Sequence, residues 1–233
     1  MREAVVCGRS TVQNVSKYVL MGSSSNFGNM FSMAGAALFL PFLPMLPIQI
    51  LLNNLLYDVS EIAIPFDRVD EEAIAGPVKW DVKFIERFML VFGPVSSVFD
   101  FLTFYVLLYL FGAGEALFQT GWFIESITTQ VLVVFAIRTR RPFFRSRPHL
   151  FLTALALGVI AVAIALPFLP VGRSFGFVAP PPLFFVFLIG ATLAYLAIVD
   201  VTKRVFYRVM AAQSPRLETM AHTTDPNKAP TSR

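Results

Sequence analysis

The sequence predicts an all-α membrane protein, a polytopic bundle of six transmembrane helices with both termini cytoplasmic. Three observations carry this. Of 233 residues 56% are hydrophobic, with 25 Phe and only 15% charged residues, and the mean hydropathy is +0.66. No globular domain of this size could hide so many apolar runs of about twenty residues. Those runs fall into six blocks of roughly bilayer-crossing length. Finally, of the nineteen Lys and Arg only Arg173 falls on the outer side of a six-span arrangement, the distribution that the positive-inside rule requires.

Taken in order, residues 1–17 read as a cytoplasmic stalk, with Val12, Val15 and Val19 on one helical face and Lys17-Tyr18 as an interfacial anchor. The first span covers 18–40. Pro41, Pro44 and Pro47 then remove three backbone donors and end that helix, so a tight membrane hairpin leads into the second span, 47–65. Residues 67–87 carry ten charged side chains of mixed sign and read as a solvated loop. The third span, 88–111, is interrupted at Gly93-Pro94 and holds Asp100 at mid-depth, where a lone carboxyl calls for a partner.

Residues 112–121 form a short outer loop. The fourth span, 122–137, is the least apolar and carries Glu125 and Gln130. Arg138-Thr139-Arg140-Arg141 with Arg145 and Arg147 makes a basic inner loop, sufficiently explained as a topology signal. The fifth span, 150–168, has no ionisable group and is assigned to packing. An outer linker, 172–182, leads to the sixth span, 183–199, which ends in Asp200, Lys203, Arg204 and Arg208. The domain reading is thus a stalk (1–17), a membrane domain (18–208) and a disordered cytoplasmic tail (209–233) that is polar and lacks periodicity.

Several classes are excluded. The single Cys7 allows no internal disulfide and no Cys-based metal cluster. The N-terminal residues contain no signal-peptide apolar core. A formal charge of +4 and a pI near 9.4 are compatible with a nucleic-acid partner, but the basic residues border the apolar runs, so none is expected. No internal repeat supports a duplicated secondary transporter. No phosphate-binding glycine loop and no His-Glu-x-x-His are present.

Two polar stretches break the apolar pattern: Ser23-Ser24-Ser25-Asn26-Phe27-Gly28-Asn29 in the first span, and Asn53-Asn54-Leu55-Leu56-Tyr57-Asp58-Val59-Ser60-Glu61 in the second. At helical spacing Asn26 and Asn29 share a face, as do Asn54 and Asp58, with Tyr57 and Glu61 beside them. Turned toward each other, these faces would form an oxygen-rich pocket at membrane depth. Individual amides also serve as interhelical glue worth about 0.6–2 kcal/mol per bond. A mid-membrane carboxylate, by contrast, costs at least ~2.5–3.5 kcal/mol, which marks Asp58 as functional.

These residues carry a family resemblance. Ser24-Ser25-Asn26-Phe27-Gly28-Asn29, the Leu43-Pro44 bend, Leu46-Pro47-Ile48-Gln49 and Asn54-Leu55-Leu56-Tyr57-Asp58 resemble the fifth and sixth transmembrane helices of P-type ATPases. Ala63 to Glu72, Lys79-Trp80-Asp81, Phe92 to Asp100 and Phe118 to Ser126 are similar to the bacterial magnesium-transporting class. The likeness runs from about residue 5 to 208.

The resemblance implies a cation path along the family's fifth, sixth and eighth helices, this chain's first, second and fourth spans. Asn26 falls at the family's ion-binding asparagine, and Asn29 at a position that is Glu in calcium pumps. Asn54 and Asp58 fall at sixth-helix ligand positions, Tyr57 at a position often Thr, and Gln130 at an eighth-helix polar position. A site of lower charge than in calcium pumps follows. Mg²⁺ fits it, because this small ion takes octahedral oxygen coordination at roughly 2.0–2.1 Å and keeps several waters, needing only one or two carboxylates. The expected metal ligands are therefore Asn26, Asn29, Asn54 and Asp58. Tyr57, Glu61, Asp100, Glu125 and Gln130 are candidates for supporting or pathway roles.

The resemblance also implies partners. Family members carry an actuator domain, a phosphorylation domain with Asp-Lys-Thr-Gly, a nucleotide-binding domain and four further helices, upstream of the stalk. The chain is not expected to hydrolyse ATP by itself, and ATP would act only through those domains, in cis or in trans. The expected setting is the bacterial inner membrane, with the lipid bilayer as solvent. The alternative is a non-catalytic six-span protein, a remnant or an accessory of intact pumps. A passive channel ranks third, because the polar groups stop at mid-depth.

Overall fold

The computed structural model describes residues 2–74, 81–139 and 146–223. Among these residues the structure is helical, without strands, and runs α1 (Arg2–Ala37), α2 (Pro47–Glu61), a 3-10 turn (Ile64–Phe66), α3 (Glu71–Ile74) and α4 (Val82–Tyr105). A π-helical turn (Val106–Leu110) extends α4. Then follow α5 (Glu115–Ile137), α6 (Leu150–Ala165) with a 3-10 turn (Leu166–Phe168), α7 (Pro170–Ser174) and α8 (Pro182–Thr223).

Among the described residues four stretches are long and apolar enough to cross a membrane: Val82–Leu110, Glu115–Ile137, Leu150–Phe168 and Pro182–Ala212. α1 falls outside that set because its Ser, Asn and Gly content dilutes the apolar run. α2 falls outside it because its 15 residues rise only about 22 Å, short of the roughly 30 Å hydrocarbon core.

α5 is the axis of the bundle. Of its apolar stretch 89% is buried inside the protein, against 50%, 39% and 33% for the other three, and it packs on α2, α4, α6 and α8. Trp122 meets Phe104 edge-on at 4.9 Å, and Phe118 and Phe123 are sealed beside it. A second core forms nearer the α8 end, where Phe88 stacks on Phe92 at 4.1 Å and Phe206 meets Phe88 edge-on. Lys203 of α8 is fully buried and donates to the Ala136 carbonyl at 2.7 Å. It thereby satisfies an orphan carbonyl in the last turn of α5.

The most extensive helix pair is α1 on α4, and glycine makes it possible. A Cβ at Gly28 would lie 3.1 Å from the Gly93 carbonyl oxygen, and one at Gly93 would lie 2.4 Å from the Phe27 ring. Small residues let membrane helices approach this closely. Ser97 then donates across the seam to the Gly28 carbonyl at 3.0 Å.

Four expectations need revision. Gly93-Pro94 does not interrupt the third span, since α4 runs through Pro94. Gly93 serves the helix contact instead, and Pro94 lies on an exposed face. The outer loop expected at 112–121 is shorter, because α5 begins at Glu115. α8 carries on past 208 to Thr223, across the first part of the segment expected as a tail, whose remainder (224–233) lies outside the described residues.

The fourth revision concerns the charged connection, which is not simply solvated. Asp67 is buried and accepts from Lys17 Nζ at 2.8 Å, from Arg138 Nη1 at 3.0 Å and from the His149 backbone N–H at 3.3 Å. Arg138 also donates through Nη2 to the Ser146 carbonyl at 2.7 Å. Ser146 and Thr139 in turn donate to Asp70 at 2.9 and 2.5 Å. Arg138 is therefore a structural cation, buried and bonded on both sides. Burial pushes the Lys17 ammonium below its ordinary pKa, with the Asp67 carboxylate pulling the other way. Residues 75–80 and 140–145, with Lys79, Trp80, Arg140, Arg141 and Arg145, lie outside the described residues.

Candidate functional site

The proline-rich bend between α1 and α2 is held by two glutamines. Gln49 accepts from the Leu46 N–H at 3.1 Å and donates to the Phe175 carbonyl at 2.9 Å, while Gln119 donates to the Leu43 carbonyl at 2.8 Å. The start of α2 is thereby tied both to α5 and to the segment after α7. That anchoring sets the rotation of α2 and so decides which of its polar residues turn inward.

Two polar faces result. Asn53, Tyr57, Ser60 and Glu61 are buried, whereas Asn54 and Asp58, one position on in the helical repeat, are exposed. The Tyr57 hydroxyl donates to Ser25 Oγ at 3.2 Å and links α2 to α1. On α1, Asn26 is exposed and Asn29 half-buried, its Oδ1 accepting from Ser126 Oγ at 3.4 Å. Gln130 Nε2 donates to the same Ser126 oxygen.

The nine candidate residues thus divide into three groups. Asn26, Asn54 and Asp58 present amides and a carboxylate at the surface, and among the described residues none of them makes a side-chain hydrogen bond. Tyr57 and Glu61 lie between α1 and α2, where Glu61 Oε1 is buried and unpartnered. Asn29 and Gln130 meet through Ser126 at the α1–α5 contact, and Asp100 with Glu125 occupies the next layer of that contact. Asn29 and Asn26 therefore do not act as one face: the first turns toward α5, the second outward.

Beside the exposed face a cavity of about 760 Å³ opens, bordered by Thr11, Asn14 and Tyr18 of α1, by Asp58 and Glu61 of α2, and by Asp67. Tyr18, Gly22 and Asn26 follow at i, i+4, so Asn26 continues the α1 face that borders it. Asn14 Oδ1 and Glu61 Oε1 are both buried acceptors without a donor. Oxygen acceptors with spare lone pairs are what a hard cation requires. Among the described residues no three Asp, Glu, His or Cys side chains are placed to hold one ion, so amide oxygens and water would have to complete the coordination of a cation here.

Sequence reasoning missed Asn53, which is buried with an unpartnered Oδ1. The 53–57–61 spacing was the available signal. It also missed Asp67 and Arg138, whose pairing joins residues 71 apart and leaves no local pattern.

Comparison with known proteins identifies the family. Residues 42–205 match the family described as cation transporting ATPase, C-terminus. The chain is 46% identical over 213 residues to the magnesium-transporting ATPase, P-type 1, of Salmonella typhimurium, and 44% identical over 213 residues to the protein of the same name in Escherichia coli K12. Each alignment covers 89% of this chain and 24% of the relative, so the chain spans about a quarter of the length of the curated relatives it matches. With the α1–α2 hairpin, the polar α5 and the family match in place, this chain belongs to the cation-transporting P-type ATPases and corresponds to their C-terminal membrane region.

Proposed function

We propose that the chain is the cation-translocating membrane part of a Mg²⁺-importing P-type pump, with six spans, both ends cytoplasmic, in the bacterial inner membrane. In this reading α1 and α2 supply the two spans beyond the four long apolar stretches. Mg²⁺ is the cargo, and ATP is used only by domains outside this chain.

The observation that carries the reading is the exposed polar face. Asn26, Asn54 and Asp58 stand among exposed Met30, Phe31, Leu51 and Leu55, a surface that could otherwise be left to lipid. A carboxylate facing lipid at that depth would cost at least ~2.5–3.5 kcal/mol. The face is therefore turned toward further helices of the pump, which complete the cage around the ion. Asp58 is the charged ligand, Asn26 and Asn54 supply amide oxygens or hold the ion's water, and Asn29 positions α1 against α5. One carboxylate with several amides and water suits Mg²⁺, which dehydrates reluctantly. The relatives carry the magnesium-transporting name, which favours this ion over others that accept oxygen sites.

The test is growth at limiting Mg²⁺ of a bacterium lacking its own Mg²⁺ transporters. The chain is expressed alone or together with a segment carrying the ATPase domains and four upstream helices. Rescue only by the pair, abolished by Asp58→Asn, is expected. Rescue by the chain alone would refute the pump reading and favour a passive path.

A further inference from the structure

Where α1, α4 and α5 meet, two carboxyl groups are sealed from solvent, Asp100 at 2% and Glu125 at 1% exposure. Their surroundings differ. Asp100 is a fully served acceptor: Ser32 Oγ donates to Oδ2 at 2.6 Å and Trp122 Nε1 donates to Oδ1 at 3.0 Å. An indole N–H can only donate, so that contact fixes Asp100 as an acceptor. Neither carboxyl oxygen of Glu125 has a hydrogen-bond partner, and the polar side chains beside it are the Asp100 carboxyl and the Thr129 hydroxyl.

Among the described residues no cation compensates the pair. The titratable groups that act on it are the two carboxyls themselves and Tyr195 of α8. The buried basic side chains are engaged elsewhere, Lys17 and Arg138 with Asp67, and Lys203 with Asp200 and the Ala136 carbonyl. Ser126 and Thr129, the hydroxyls near Glu125 on its own helix, are also committed. Thr129 donates to the Glu125 and Ser126 carbonyls, and Ser126 donates to Asn29. Two ionised carboxylates here would repel each other in a medium that screens poorly, and would leave buried acceptors facing acceptors.

One proton removes both faults. Placed on Glu125 it donates to the Asp100 carboxylate, gives Glu125 its missing partner and leaves the Ser32 and Trp122 bonds intact. We propose that Asp100 and Glu125 form a buried proton-binding site in which Glu125 carries the proton and Asp100 accepts from it. The site is separate from the exposed Asn26, Asn54 and Asp58 face, and its ligand is a proton rather than a metal ion. Because Ser32 shares α1 with Asn26 and Asn29, a shift of α1 that reshapes the outer face also withdraws a donor from Asp100. Proton binding is thereby linked to the position of α1. The proposal does not rest on the transport reading.

Infrared spectroscopy of the full chain in lipid nanodiscs at neutral pH tests it, in a Glu61→Gln background that removes the other buried carboxyl with an unpartnered oxygen and serves as wild type, compared with added Glu125→Gln, Asp100→Asn and Asp58→Asn. The wild type should show a protonated-carboxyl C=O stretch that shifts in D₂O. The band should vanish in Glu125→Gln, move in frequency but persist in Asp100→Asn, where Glu125 loses its carboxylate acceptor, and stay unchanged in Asp58→Asn. Absence of the band in wild type, or its survival in Glu125→Gln, would overturn the assignment, as would its loss in Asp58→Asn. If Glu125→Gln does not fold, as judged by its amide bands, Asp100→Asn decides: a moved band supports the site and an unmoved one overturns it.

Discussion

Replacing Asp67 with Ala tests whether the polar layer at the base of the bundle is a stabilising joint or an incidental surface pairing. Asp67 is 6% exposed and sits between Lys17 at 9% and Arg138 at 5%. Its removal deprives Lys17 of its carboxylate, leaving a 3.3 Å contact to the Arg68 carbonyl. Arg138 loses its Nη1 acceptors and keeps only the Ser146 contacts through Nη2, its Nε being already without a partner. The His149 N–H loses its acceptor as well. Two buried cations would then lose the carboxylate they share, with Asp70 the remaining negative charge nearby, and breaking a buried pair in this way costs about 3–5 kcal/mol.

For a chain of this length that is a fall in Tm on the order of 10 °C, readable by circular dichroism of the protein in nanodiscs. Asp67→Ala combined with Arg138→Met should recover part of the loss, because the pair is removed together. Arg68→Ala, at an exposed neighbouring side chain, should stay within about 0.5 kcal/mol of wild type. An Asp67→Ala protein as stable as Arg68→Ala would refute the reasoning and return the pair to the class of exposed salt bridges, worth about 0–1 kcal/mol.

Two further outcomes follow from the geometry. Gly28→Ala places a Cβ 3.1 Å from the Gly93 carbonyl and 3.2 Å from Ser96 Cβ; both are poorly movable, so the α1–α4 seam should open at a cost of about 1–3 kcal/mol, seen as faster hydrogen exchange along both helices. Asp58→Asn, at an exposed side chain without a hydrogen bond among the described residues, should leave the melting temperature within about 0.5 kcal/mol equivalent of wild type while abolishing growth rescue, and a large loss of stability would reassign Asp58 to structure.

The sequence is legible where physics is local. Hydropathy places α4, α5, α6 and α8 because each must bury its backbone polar groups in one continuous helix, and the three prolines at 41, 44 and 47 mark the bend that the structure contains. The same prolines-break-helices rule misleads at Pro94, because membrane helices tolerate proline where other groups satisfy the freed backbone. Asp100 is readable as needing a partner, but its partners Ser32, Trp122 and Glu125 lie on two other helices and no spacing reveals them. Likewise a charge bordering an apolar run looks solvated, so Asp67 and Arg138 are misread until folding brings α1, α5 and the connection together. On α2 the helical repeat correctly pairs Asn54 with Asp58. It does not say that Tyr57 and Glu61 turn inward while Asn54 and Asp58 stay exposed, since that depends on how Gln49 anchors the helix.

ATP-driven Mg²⁺ uptake into proteoliposomes, reconstituted from this chain with a segment carrying the ATPase domains and four upstream helices, tests the central claim most directly. The account predicts flux that requires both components and is lost in Asp58→Asn with folding intact. Undiminished flux in Asp58→Asn, or flux through the chain alone without ATP, would contradict it.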